Sequence, residues 1–157
     1  MNQQEQKVYF TTETLKNFVA VEGKVVRTVF CYLWHNAINK NDIVELIDSI
    51  EFAFADNTRL TIGTNNENTG LEAIDFNFEA EKRELEKEYQ GKIKLFAINA
   101  SPTKMWTDVI GKKLEAIQLT KEGDNYLSDS VLLNFGEEKR TVSVSPLDGL
   151  IIDFFEE

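Results

Sequence analysis

Apolar residues in this chain recur at two spacings. Between residues 12 and 21, Leu15, Phe18 and Val19 share one helical face; Thr12 stands where a cap is needed and Gly23 where the helix must stop. The spacing then changes to the two-residue period of a strand. Residues 24–35 are apolar on both faces, with Val26, Phe30, Tyr32 and Trp34 on one and Val29, Cys31 and Leu33 on the other, which predicts a central strand covered on both sides. Ile50, Phe52 and Phe54 alternate with polar or small residues, as do Leu60 and Ile62, so these strands have one apolar face. Residues 78–90, FEAEKRELEKEYQ, are strong helix formers with little apolar surface beyond Phe78, Ala80, Leu85 and Tyr89, which predicts a solvated connector helix. Ser101 as a cap and Pro102 at the first helical position predict a further helix, with Met105, Trp106, Val109 and Ile110 on its apolar face and Gly111 as its stop. The strand expected over residues 112–121 is more polar and belongs nearer an edge.

The pattern occurs twice. Sliding the first segment along the chain until Phe18 lies on Trp106 also brings Val21 onto Val109, Gly23 onto Gly111 and Lys24 onto Lys112. Further on, Leu46, Asp48, Ser49 and Phe54 parallel Leu127, Asp129, Ser130 and Phe135. Gly70-Leu71 and Ile74-Asp75-Phe76 parallel Gly149-Leu150 and Ile152-Asp153-Phe154. The repeated unit reads strand, helix, then four antiparallel strands, at about residues 7–77 and 92–155. One such unit cannot hide its own apolar sheet face. The expected fold is therefore α+β: a single domain of two pseudo-symmetric β-α-β-β-β-β units, joined by the charged helix, their antiparallel sheets packed on one another around a shared core.

Composition narrows the function classes. The hydrophobic fraction of 42% and the eleven Phe suit a folded core. The net charge of −10 repels phosphate backbones, so neither nucleic acid nor an anionic membrane is expected as a partner, and a basic protein is favoured. The longest wholly apolar run, residues 29–34, is far short of the roughly 20 residues of a membrane helix. The opening residues, MNQQEQK, lack the basic and apolar regions of a secretory signal. The single cysteine, Cys31, precludes an intrachain disulfide and suits a reducing compartment, so the expected location is the cytoplasm. Homo-oligomerisation stays open, because uncovered edge strands can pair across a dimer.

Candidate chemistry is sparse. There is no nucleophile elbow, dinucleotide fingerprint or phosphate loop. His35 is the only histidine, which excludes a two-histidine metal site. Cys31 and His35 share a strand face but stand about 13 Å apart at the usual rise per residue, too far for a thiolate–imidazole pair. Residues 63–70, GTNNENTG, miss the calcium-loop spacing and read as a polar hairpin loop. Asp48 and Asp129 stand at strand starts, where their short side chains can bond backbone N–H groups, and Asp75 and Asp153 face away from the apolar side; if a twofold axis gathers the two sets, the four acids share a cleft and raise one another's pKa. No metal, cofactor or catalytic residue is assigned. The first unit is longer than the second in residues 36–42 and 63–69, and recognition concentrates on such loops. With their neighbours they supply the candidate binding residues Trp34, His35, Asn36, Asn39, Asn65, Asn66 and Asn68. The expected function is a non-enzymatic interaction module. The alternative is a small-molecule binder, or a carboxylate-based enzyme, with its cleft between the two units.

Residues 126–154, YLSDSVLLNFGEEKRTVSVSPLDGLIIDF, together with the preceding MWTDVIGKKLEAIQL, resemble a group of small bacterial proteins of unknown function. The resemblance covers the second half of the chain and rests on Ile110-Gly111-Lys112, Ser128-Asp129-Ser130 and Asp148-Gly149-Leu150. It implies no activity and no catalytic residues. In size, acidity and strand-rich build the chain is also similar to immunity proteins that neutralise bacterial toxins, which implies an inhibitor of a basic, nuclease-type partner.

Overall fold

The computed structural model describes residues 8–65 and 67–155. Among them are two helices, α1 (Thr12–Val21) and α2 (Phe78–Glu88), and nine strands. In chain order the strands are β1 (Val26–Asn36), β2 (Val44–Phe54), β3 (Arg59–Thr64), β4 (Leu71–Ala73), β5 (Ile93–Asn99), β6 (Ala116–Glu122), β7 (Asn125–Phe135), β8 (Glu138–Ser145) and β9 (Gly149–Phe154). The class is mixed α+β, dominated by antiparallel strands. No helix among the described residues is long and apolar enough to cross a membrane.

Both helices follow from their sequences. The cap of α1 is Thr11, one residue before the expected one; its side chain accepts from the Thr14 N–H. Phe18 and Val21 bury the inner face, and Gly23, at φ +88°, turns the chain into β1. Asn77 caps α2 in the same way, and none of the residues of α2 is fully buried, as its charged pattern predicts.

The third expected helix does not form. Residues 101–111 are a chain of turns. A helix would require the Val109 N–H to reach the Met105 carbonyl. That carbonyl instead accepts from Arg140 Nε at 2.7 Å, and the Val109 N–H turns to Trp106 O. Ser101 caps nothing, because its hydroxyl accepts from the Val29 N–H at 2.9 Å. Arg140 is almost wholly buried, bonded to Glu138 at 2.9 Å and stacked 4.4 Å over Phe154, so it pins the turns to β8 and β9.

Nor are there two sheets face to face. The strands form one curled sheet in the order β4-β3-β2-β9-β8-β7-β6, with β1 added on β2 and β5 on β1. The physical reason is the junction of β2 and β9, where Ile47 and Gly149 meet in a parallel bridge. The later strands are thereby bonded to the earlier ones, and the curl lets both sets point side chains inward. One cluster fills the interior, with Phe18, Val29, Ile50 and Phe52 from the first half against Trp106, Leu114, Leu133 and Phe135 from the second. A second junction runs antiparallel between residues 23–26 and 111–114. There the Gly23 N–H reaches Leu114 O at 2.7 Å and the Gly111 N–H reaches Val26 O at 2.8 Å; the Leu114 N–H reaches Lys24 O at 2.8 Å and the Val26 N–H reaches Lys112 O at 2.9 Å.

β1 lies between β2 and β5 and buries Val26, Val29, Cys31 and Tyr32, in keeping with its two apolar faces. Among the described residues β6 pairs only with β7, and β5 only with β1, leaving Phe96 and Ile98 exposed near that free edge.

Candidate functional site

The site begins with an irregularity in β2. Its pairing with β1 passes from Tyr32–Ser49 directly to Leu33–Ile47, so Asp48 has no partner residue on β1. Such a bulge bends the strand and re-aims the extra side chain. Asp48 therefore lies within a strand, not at a strand start as expected, since β2 opens at Val44 and β7 at Asn125.

Asp48 lines a cavity of about 240 Å³ at the junction of β2 and β9. Trp34 of β1 and Leu46 and Ile47 of β2 form one wall. Thr64 and Asn68 come from the end of β3 and the loop after it, and Ser145, Pro146 and Gly149 from the turn between β8 and β9. These loops are built by their own side chains. Asn65 Oδ1 accepts from the Thr69 N–H at 2.9 Å, and its Nδ2 donates to the Thr69 hydroxyl at 3.0 Å. The Thr64 hydroxyl donates to Asn68 Oδ1 at 2.9 Å. Across the cavity, the Ser145 hydroxyl donates to Asp148 Oδ2 at 3.1 Å, which holds a second carboxylate next to the lining.

The electrostatics are one-sided. Burial raises the Asp48 carboxyl above its ordinary value, and the Glu81 carboxylate on α2 pushes the same way, opposed by the Ser49 hydroxyl. No Lys or Arg among the described residues pairs with Asp48. The lining segments 64–70 and 145–149 carry Glu67 and Asp148 and no basic residue. The four-acid cleft is not assembled: Asp75, Asp129 and Asp153 are exposed, and of the four only Asp48 lines the cavity.

Of the residues expected to bind, the structure brings two together here, Trp34 and Asn68. The others stand apart from the lining. His35 Nδ1 is 3.2 Å from Glu45 Oε2 and its ring meets Phe96 edge-on. Asn36 and Asn39 accept from the N–H groups of Ile38 and Asn41 and so shape the β1–β2 turn. Asn65 braces its loop, and Asn66 lies outside the described residues. The lining residues missing from the expected set are those of β2, Thr64 at the end of β3, and those of the 145–149 turn. The available signal was the pairing of Asp48 with Asp129 and of Gly149-Leu150 with Gly70-Leu71 along the chain.

Other reactive groups are closed off. Burial pushes the Cys31 thiol up to about 11, so it is a neutral core thiol at physiological pH. The Tyr32 phenol is pushed up to about 12 by burial and by Glu51, to which it donates at 3.2 Å. Glu51 is itself buried and also accepts from Thr61, clamping β1, β2 and β3 together. No group of three or more metal-binding side chains occurs among the described residues.

The raised Asp48 carboxyl has a consequence for stability. A carboxyl whose folded pKa exceeds its unfolded one favours folding while protonated, and that contribution is lost as pH rises through the folded pKa. Asp48→Asn should therefore stabilise the chain at pH 7 by about 0.5–1 kcal/mol. The gain should vanish below about pH 4, near the ordinary value of 3.8. Urea melts of both proteins at pH 7 and pH 3.5 measure the difference; an equal gain at both pH values refutes the account.

No protein-family model matches the chain, and comparison with curated proteins and with solved structures finds no match for it.

Proposed function

We propose that this chain is a non-enzymatic interaction module for a basic protein, binding through the end of the sheet that surrounds Asp48. The observation that supports it most is the charge around the cavity: Asp48, Glu67 and Asp148 lie in or beside its lining, and the lining segments hold no base. Apolar side chains fit the same use. Leu147, on the turn beside the cavity, is 85% exposed, and Ile38 and Ile43 are exposed on the β1–β2 turn. A net charge of −10 speeds encounter with a basic surface and disfavours acidic competitors. An inhibitor of a basic nuclease in the reducing cytoplasm is one concrete form.

We read the two halves as pseudo-symmetric copies. Support comes from the reciprocal bonds between residues 23–26 and 111–114, and from Gly149 packing on Ile47 while Gly70 packs on Ser128. On this reading the shared positions form the scaffold, and the longer loops of the first half are free for recognition.

The test is capture from the host's own lysate by the tagged chain at low ionic strength. A basic protein should bind, should elute at about 0.5 M salt through screening, and should be held at least tenfold more weakly by the triple variant Asp48→Asn/Glu67→Gln/Asp148→Asn. Capture of nothing, or capture that ignores the triple variant, overturns the proposal.

A further inference from the structure

We infer that the cavity at the junction of β2 and β9 is a guanidinium subsite, shaped for an arginine side chain; this rests on the proposed basic partner and names the group it presents. The argument begins from an imbalance. Acids removed from water normally have a cation or several N–H donors beside them. Asp48 has neither an Arg nor a Lys beside it; the Ser49 hydroxyl is its one favourable polar influence, and the charge that acts on it is another acid, Glu81. A cation entering the cavity offsets that cost.

The lining distinguishes between cations. An ammonium is compact and strongly hydrated; a guanidinium is flat, weakly hydrated and carries five donors spread in a plane. The cavity offers an indole, Trp34, in its wall, against which a flat cation stacks better than a hydrated point charge. Its acceptors are spread, not focused: the Asp48 carboxylate on one side, the Thr64 and Ser145 hydroxyls on others, and Asp148 held beside the lining by Ser145. Leu46, Ile47 and Pro146 supply apolar wall for the methylene stem, which the long side chain buries while its charged end is paired. About 240 Å³ accommodates one such side chain and excludes a folded segment. The bulge at Asp48 and the close approach at Gly149 are what bring these groups together, so the subsite exists only where the two halves of the sheet join.

The test uses isotope-labelled protein and three capped amino acids followed by two-dimensional NMR. Nα-acetyl-arginine amide should shift the Trp34 indole and Gly149 amide signals saturably, in the millimolar range. Nα-acetyl-lysine amide should bind several-fold more weakly. Nα-acetyl-citrulline amide, the neutral isostere, should bind at least tenfold more weakly. Asp48→Asn should abolish the arginine response, whereas Asp124→Asn, in the exposed β6–β7 turn, should leave it unchanged. Equal shifts with citrulline, an undiminished response in Asp48→Asn, or shifts confined to other surfaces overturn the inference.

Two arms separate the source of the guanidinium. A captured basic protein that acetyl-arginine amide displaces identifies a partner's side chain; free arginine binding more than tenfold tighter than the capped amide identifies a small-molecule ligand. Failure of the amides alongside persistent capture removes the subsite and leaves the interaction module standing. Amide binding with no protein captured does the reverse.

Discussion

Trp106→Ala should lower stability by about 3–5 kcal/mol, the usual range for deleting a buried aromatic. A domain of this size has roughly 5–15 kcal/mol in total, so the variant should be partly unfolded at 37 °C. Trp106 is 2% exposed although it sits in a run of turns, not in a regular element. It meets Phe52 of β2 edge-on, with centroids 5.3 Å apart at 77°, and Phe135 of β7 at 6.5 Å and 86°. The indole is thus the wedge between strands of the two halves. Trp106→Phe keeps most of the volume and should cost about 1–2 kcal/mol. Val19→Ala, on the exposed face of α1, should fall within about 0.5 kcal/mol of the parent. Urea midpoints with a common m-value measure all three. A Trp106→Ala loss below about 1 kcal/mol would show that the halves adhere by some other means.

Gly149→Ala should cost about 2–4 kcal/mol, from two independent causes. Its φ is +74°, a region that costs an L side chain about 1–2 kcal/mol. A Cβ there would also stand 2.5 Å from the Ile47 carbonyl oxygen and 2.8 Å from a Leu46 methyl, so β9 would have to retreat from β2, at an overpacking cost of about 1–3 kcal/mol. A glycine of the first half, Gly70, is the control. Gly70 has no positive φ, and a Cβ there meets the Ser128 hydroxyl, a side chain, so Gly70→Ala should cost less. Because Gly149 also lines the cavity, Gly149→Ala should shift the Trp34 indole signal even where the protein stays folded. If the two alanine variants prove equally stable, the close approach of β2 and β9 is not what limits this position.

Local pattern was a good guide to local structure. The 3.6-residue spacing of Leu15 and Phe18 and the charge of residues 78–90 both became helices at nearly the expected bounds. Phe52 and Leu60 are buried as their alternation predicts, but the opposite faces of β2 and β3 are covered as well, so Glu51, Ala53 and Thr61 are buried beside them. Residues 101–111 show where pattern fails. Met105, Trp106, Val109 and Ile110 have helical spacing, but Arg140, distant in sequence, takes the carbonyl a helix would use. The candidate site was half legible for a similar reason. Trp34 and Asn68 were reachable because they lie at or beside polar loops. Leu46, Ile47 and Pro146 look like ordinary strand and turn residues until the bridge of Ile47 to Gly149 places them around one cavity. The face to which Asp48 turns depends on a bulge, and alternation alone places a strand residue on the wrong side of a bulge.

The bridge between β2 and β9 also bears on how the chain is made. Ile47 and Gly149 are roughly a hundred residues apart, and translation at roughly 5–20 residues per second puts some five to twenty seconds between the appearance of one and of the other. During that interval the ribosome holds a nascent β2 whose apolar Ile50, Phe52 and Phe54 still lack Trp106 and Phe135 as cover. That apolar surface stays uncovered, and open to association with other chains, until the last strands emerge.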